Sequence, residues 1–293
     1  MLWNALCDQR VAPNSFVTRL RTQNACLAIG THDFYEIAKN FARPENHGRG
    51  KLLFSDFTKY LIADTLLIKD NMELLAEEMW ALKLGRCVPK TLLSSEDRKL
   101  IVRKAEQLAN GELGDDGAEF LTKQKSDANA NRTNQIAFLE SRPDIKSQLQ
   151  SIAIDQLPQW LDGETKRPAG VAILTNHILR RFPDVPLDEA SEYATALLSK
   201  QMRFSTAMIR CDLYYNWRCA NRGSVPRDLI DDVYHVLNAV YCDLYATAEA
   251  NQGEYAHLLL SDNTRVAIYD RKTPIDEWLF ENRSEPKSIP ATT

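Results

Sequence analysis

Near the C-terminal end, between residues 231 and 270, the spacing of apolar positions changes period several times. Val233, Val236, Leu237 and Val240 recur at helical intervals behind the pair Asp231 and Asp232. A β-prone run at 242–247 follows at once, then a polar helix, then a second β-prone run at 265–268, which together predict an αβαβ unit. The N-terminal end carries a similar signature. Asn14 is placed to cap a helix whose apolar face is Phe16, Val17 and Leu20; residues 25–29 read as a buried strand stopped by Gly30. Thr31 is a suitable N-cap for the next helix, which turns Phe34, Ile37, Ala38 and Phe41 inward.

Between these ends the pattern is different. Residues 44–50 read as a loop, and nearly everything from 52 to 222 has helical periodicity. Leu53, Phe57, Tyr60 and Leu61 mark one helix and 72–84 another; Ser94, with Glu96 and Asp97 in the first turn behind it, starts a third. Gly111, Gly114 and Gly117 interrupt the pattern before a long polar helix, and the longest helix is expected from 184 to about 220. A lone strand near residue 25 cannot bury itself, and the C-terminal strands need neighbours, so the two ends are expected to share one parallel sheet. The expected organisation is a split α/β domain of 1–42 and 228–281, a helical insertion of 43–227 and a tail of 282–293.

Composition narrows the picture a little. At 293 residues the chain can bury a substantial core. A net charge of −4 gives no polyanion-binding field over the whole molecule, although a local basic patch acts over roughly 8 Å. The six cysteines lack Cys-x-x-Cys spacing, which argues against zinc and for reduced thiols in a cytoplasmic protein. No apolar run approaches the roughly 20 residues that span a bilayer, so no membrane association is expected.

The candidate chemistry lies in acids that an open α/β sheet would gather at one edge, since helix N-termini and strand C-termini meet there. Asp232 opens a helix, Glu249 lies just past the strand ending at Thr247, and Glu36 lies early in the helix after the first strand. Carboxylates without Cys or His ligands suit hard divalent ions such as Mg²⁺ or Mn²⁺, whose matching chemistry is phosphodiester hydrolysis. The spacing Asp232-x-x-His235 followed by Tyr241-Cys242-Asp243-Leu244-Tyr245-Ala246-Thr247-Ala248-Glu249 resembles the C-terminal signature of PIN-domain proteins. Thr31 with Glu36 is similar to that family's second acidic helix, and Leu2-Trp3-Asn4 to the tail of its first strand. The resemblance covers 1–42 and 228–281. It implies a Rossmann-like fold with helices on both faces of a parallel sheet and a Mg²⁺- or Mn²⁺-dependent endoribonuclease with a four-acid site.

Two departures stand against it. The family's first Asp would precede Leu2, and Glu249 stands where the family more often has Asp. Asp243 opens its strand, about 13 Å from the acidic edge at about 3.3 Å per residue, so it reads as structural before metal-ligating. Three residues have bland readings beside the functional ones. Asp232 can simply favour the helix dipole, Glu36 can be a solvated residue and His235 a core histidine. A second candidate surface is the basic, aromatic stretch of Lys200, Arg203, Arg210, Arg218, Arg222 and Arg227. Arg203, Arg210, Tyr214 and Trp217 share one helical face there; with Arg218 they suit single-stranded RNA, or else the aromatics are core and the arginines snorkel. The reading is a metal-dependent ribonuclease acting on RNA, with a non-catalytic nucleic-acid- or protein-binding module as the alternative. An antitoxin-like protein partner and a homo-oligomer stay open.

Overall fold

The computed structural model describes residues 2–63, 65–86, 88–221, 229–260 and 264–284. The chain begins with helices α1 (Leu2–Asp8) and α2 (Pro13–Thr22), strand β1 (Ala28–Gly30), α3 (Thr31–Ala38), α4 (His47–Ile62), β2 (Leu66–Ile68), α5 (Asn71–Lys83) and α6 (Ser95–Ala109). A run of helices follows: α7 (Gly114–Ser141), α8 (Pro143–Gln150), α9 (Leu157–Thr165), α10 (Pro168–Arg181), α11 (Leu187–Ser199) and α12 (Arg203–Asn221). The described chain closes with α13 (Leu229–His235), β3 (Leu244–Thr247), α14 (Ala250–Leu259), β4 (Arg265–Ile268) and α15 (Ile275–Ser284).

The sheets differ from the expectation. Mixed α/β character is present, but most of the chain is helical and the strands form two separate two-stranded parallel sheets, β1 with β2 and β3 with β4. Among the described residues the strands do not join into a single Rossmann-like, PIN-type sheet. The reason lies partly in β2, in the stretch Leu66-Leu67-Ile68 that helical periodicity on either side had absorbed. Ala28, Ile29 and Gly30 pair with Leu66, Leu67 and Ile68, so the N-terminal strand finds its neighbour nearby and not across the insertion. In the other sheet Leu244 to Thr247 pair with Arg265 to Ile268.

Side-chain alternation explains how both small sheets are held. Leu67 is buried in an apolar cluster with Trp3, Phe54, Phe57 and Tyr60, whereas its neighbour Ile68 is buried in the cluster built by the helices of 139–221. Tyr245 and Val266 face that second cluster, while Ala246 and Ala267 face the first. Both sheets therefore lie between the same two cores. The first core also takes in α4 and α6, so these two helices pack with the N-terminal elements, whereas α5 joins the later helices through Leu74, Leu75 and Ala81.

Polar side chains fix the joints. Arg98 donates to the carbonyls of Leu61 at 2.5 Å, Ala63 at 3.1 Å and Thr65, which satisfies the exposed end of α4 and the approach to β2. Glu78, fully buried on α5, accepts from the backbone N–H of Phe204 at 2.7 Å and of Ser205 at 2.8 Å, and from the hydroxyls of Ser205 and Tyr241. A carboxylate from one helix thus caps another. The helix expected over 184–220 is two, broken where Gln201 adopts φ 51° between α11 and α12. Helix α2 begins with Ala12 at the N-cap and Pro13 after it, and not at Asn14. Among the described residues no helix is long and apolar enough to cross a membrane, and Cys7, Cys26, Cys211, Cys219 and Cys242 are free thiols. Arg222, Arg227 and residues 285–293 of the expected tail lie outside the described residues.

Candidate functional site

The two sheets approach each other where β1 ends. Gly30 is the last residue of β1, and a Cβ there would lie 2.6 Å from Asn238 Oδ1, in the turn between α13 and β3. Only glycine allows this approach. Directly after it, α3 starts with its backbone satisfied locally, since Gly30 N–H donates to Asp33 Oδ2 at 2.9 Å. That bond turns Asp33 toward the seam, where its Oδ1 accepts from Trp3 Nε1 at 3.0 Å and lies 3.6 Å from His235 Nε2.

A second carboxylate stands one turn further along α3. Glu36 is 3.3 Å from His32 Nε2 and forms an ion pair with Lys39. Burial works against its charge, but His32 and Lys39 outweigh burial and hold its pKa down to about 2. The His32 and His235 rings meet edge to face with centroids 4.6 Å apart. Burial pulls His235 down to about 4, with His32 pulling the same way and Asp33, Glu36 and Glu249 opposing, so the ring is neutral at pH 7. Its Nδ1 is buried and makes no hydrogen bond to the protein.

The three acids expected from the sequence share this neighbourhood. Glu36 and Glu249 both act on His235, and Glu249 and Asp232 both act on the buried phenol of Tyr245, whose pKa burial raises most. Asp33, His32 and Trp3 were not expected. The signal for them was present, because His32 and Glu36 stand at i and i+4 on one helix face and Asp33 occupies the third position of that helix. Asp243 is exposed at the far end of β3, in keeping with a place away from the edge.

The geometry does not suit the expected Mg²⁺ or Mn²⁺. Among the described residues no group of three or more His, Cys, Asp or Glu is arranged to hold a metal ion. Glu36 is ion-paired with Lys39 and lies beside His32, and both Asp33 oxygens accept protein hydrogen bonds. The expected RNA-binding face is also revised. Tyr214 and Trp217 are buried, stack on each other at 6.0 Å and belong to the helical core, with Trp217 Nε1 donating to Ile152 O at 3.1 Å. Arg210 pairs with Asp162, Arg218 is buried, and Arg203 is the first residue of α12. The aromatics were drawn inward because α12 runs through the centre of the helical cluster, where 13 of its 19 residues are buried.

A cavity of about 1180 Å³ opens beside the cluster. It is lined by Thr31, His32 and Tyr35 of α3 and by residues of α5, α7, α10, α12 and α13. No family model matches the chain, and neither a curated protein nor a solved structure matches it.

Proposed function

We propose that the protein is a ribonuclease that hydrolyses phosphodiester bonds of RNA at the His32–Glu36 and His235–Asp33 cluster. The observation that supports this most is the meeting of two histidine–carboxylate pairs at the seam of the two sheets, with His32 lining a cavity large enough for a polymer segment. Glu36 Oε1 lies 3.3 Å from His32 Nε2, which places a carboxylate beside the imidazole whose charged form it would stabilise during proton transfer. His32 takes the proton of the attacking water as the new P–O bond forms, and the leaving oxygen departs with a proton from solvent. His235 and Asp33 stand behind His32, and Lys39 offsets the charge of Glu36.

The test is incubation of purified protein with fluorophore-labelled single-stranded RNA in EDTA, Mg²⁺ or Mn²⁺. Cleavage that persists in EDTA, falls at least about 100-fold in His32→Ala and is weakened in Glu36→Gln is expected. Strict dependence on Mn²⁺ or Mg²⁺, abolished by Asp232→Asn or Glu249→Gln, would overturn the role of His32 and return the carboxylates to metal ligation. A second reading is an RNA-binding module without catalysis, favoured by the ion pair with Lys39 that already engages Glu36 inside the protein. Retention of labelled RNA without cleavage under all three conditions identifies it.

A further inference from the structure

The cavity beside His32 differs chemically from the cluster it adjoins. Its lining is rich in carboxamides: Asn134 from α7, Asn176 from α10 and Asn216 from α12 all border it. A carboxamide offers a donor and an acceptor side by side, which is the pattern that pairs bidentately with the N6 and N7 edge of adenine. Tyr35 from α3 and Tyr215 from α12 supply aromatic surface of the kind on which bases stack. Arg180, exposed in the same lining, adds a fixed positive charge for a phosphate.

Two further features show a prepared pocket. His177 is held rigidly, because its Nε2 lies 2.6 Å from Asp212 Oδ2 while Tyr234 donates to Asp212 Oδ1 at 2.7 Å. Burial, with Asp212 beside it, pushes the Tyr234 phenol well above its usual range, so it stays a donor at every physiological pH. Asn238, 7% exposed, also lines the cavity, and its Nδ2 donates at 3.2 Å to Oδ1 of Asn71, a second lining carboxamide that is thereby fixed in place.

The geometry points to this cavity as a pocket for one unpaired adenine of the RNA strand, so that cleavage beside His32 carries a base preference. The inference rests on the ribonuclease reading for its consequence, and on the cavity alone for binding.

Fluorescence anisotropy separates the two. Labelled RNA dodecamers of uridine, with and without one central adenosine, cytidine or guanosine, are titrated with the Glu36→Gln protein, and the same RNAs are mapped for cleavage by the unsubstituted protein. Tighter binding of the adenosine-containing strand by about 10-fold is expected. The preference should fall below about twofold in Asn176→Ala plus Asn216→Ala, with affinity for the all-uridine strand little changed. If that double variant does not give the native near-ultraviolet circular dichroism, Asn176→Ala alone, at an exposed position, is expected to lower the preference by about threefold or more. Equal affinity for all four strands, a preference for another base, or a preference unchanged by the substitutions overturns the pocket while leaving the ribonuclease reading intact. Adenosine preference without cleavage overturns the ribonuclease reading and leaves the pocket. Binding to none of the strands overturns both.

Discussion

Glu78 joins parts of the chain that are far apart in sequence, and its removal is the sharpest test of how the helical layer is held. It receives two backbone N–H groups at the start of α12, the Ser205 hydroxyl and the Tyr241 hydroxyl, all in a fully buried setting. Glu78→Ala leaves those donors without an acceptor, at about 1–3 kcal/mol for each that water does not reach, and opens a cavity besides. Breaking a buried charged network costs about 3–5 kcal/mol in other proteins, and losing a carboxylate from a helix N-terminus adds up to about 1. A loss of about 5 kcal/mol follows, a large part of the 5–15 kcal/mol typical of a folded protein. At a urea slope of about 3 kcal/mol/M the unfolding midpoint should fall by about 1.7 M. Glu78→Gln keeps one acceptor and should lose about half as much. There is also a pH signature: burial raises the Glu78 pKa against the pull of its donors, so the folded state binds the proton more tightly than the unfolded chain. Its favourable contribution is complete below the unfolded pKa and declines as pH rises through the folded value, and Glu78→Gln should flatten that decline. A midpoint for Glu78→Ala within about 0.3 M of the unsubstituted protein would refute the account of α12 as a helix capped from outside.

Acid should loosen the seam in two stages. His235, neutral when folded with a pKa of about 4 against 6.5 unfolded, costs stability on the order of 3 kcal/mol as pH falls from 6.5 to 4; Glu36, held at about 2, loses a similar amount between about 4.5 and 2. Urea midpoints measured from pH 7.5 to 3 should show the first stage vanish in His235→Gln and the second diminish in Glu36→Gln. Gly30→Ala should cost about 1–3 kcal/mol, because its Cβ meets Asn238 at 2.6 Å, and the double substitution with Asn238→Ala should restore part of it. A Gly30→Ala protein as stable as the original would mean that the two sheets do not approach there.

The legible parts of the fold were those with a period of their own. Strand β4 lies where alternation placed it, at Arg265–Ile268, and the capping pattern Ser94-x-x-Asp97 produced the expected start of α6, with the Asp97 N–H donating to the Ser94 hydroxyl at 3.1 Å. β2 was hidden because three apolar residues between two helices carry no period that distinguishes strand from helix. The basic, aromatic face of α12 misled for a related reason: a helix buried on most sides shows aromatics at every spacing, and only tertiary packing says which way they point. At the site, the acids were legible by their positions at helix starts and strand ends. Their engagement was not, because the partners Trp3, His32 and His235 come from three elements that only the folded seam brings together.

That seam is the reason the expected sheet and the observed one lead to the same place. Hydrogen bonding divides the strands into two pairs, yet the alternating side chains of both pairs bury into the same two apolar clusters, so the two sheets are fixed relative to one another by packing on both faces. A continuous sheet would fill the space between β1 and β3 with backbone. Here the C-terminal end of β1 instead meets the turn before β3 through Gly30 and Asn238, and the room beside it is taken by side chains: His32, Asp33, His235 and, further along, Tyr245. Polar groups in such a seam must satisfy one another, which accounts for carboxylates held by histidine, lysine, tryptophan and backbone N–H and not spread around an open ion site. The same construction leaves His32 on the boundary, one side facing Glu36 and the other the amide-lined cavity, and that shared position is what ties a proton-handling pair to a surface able to select what reaches it.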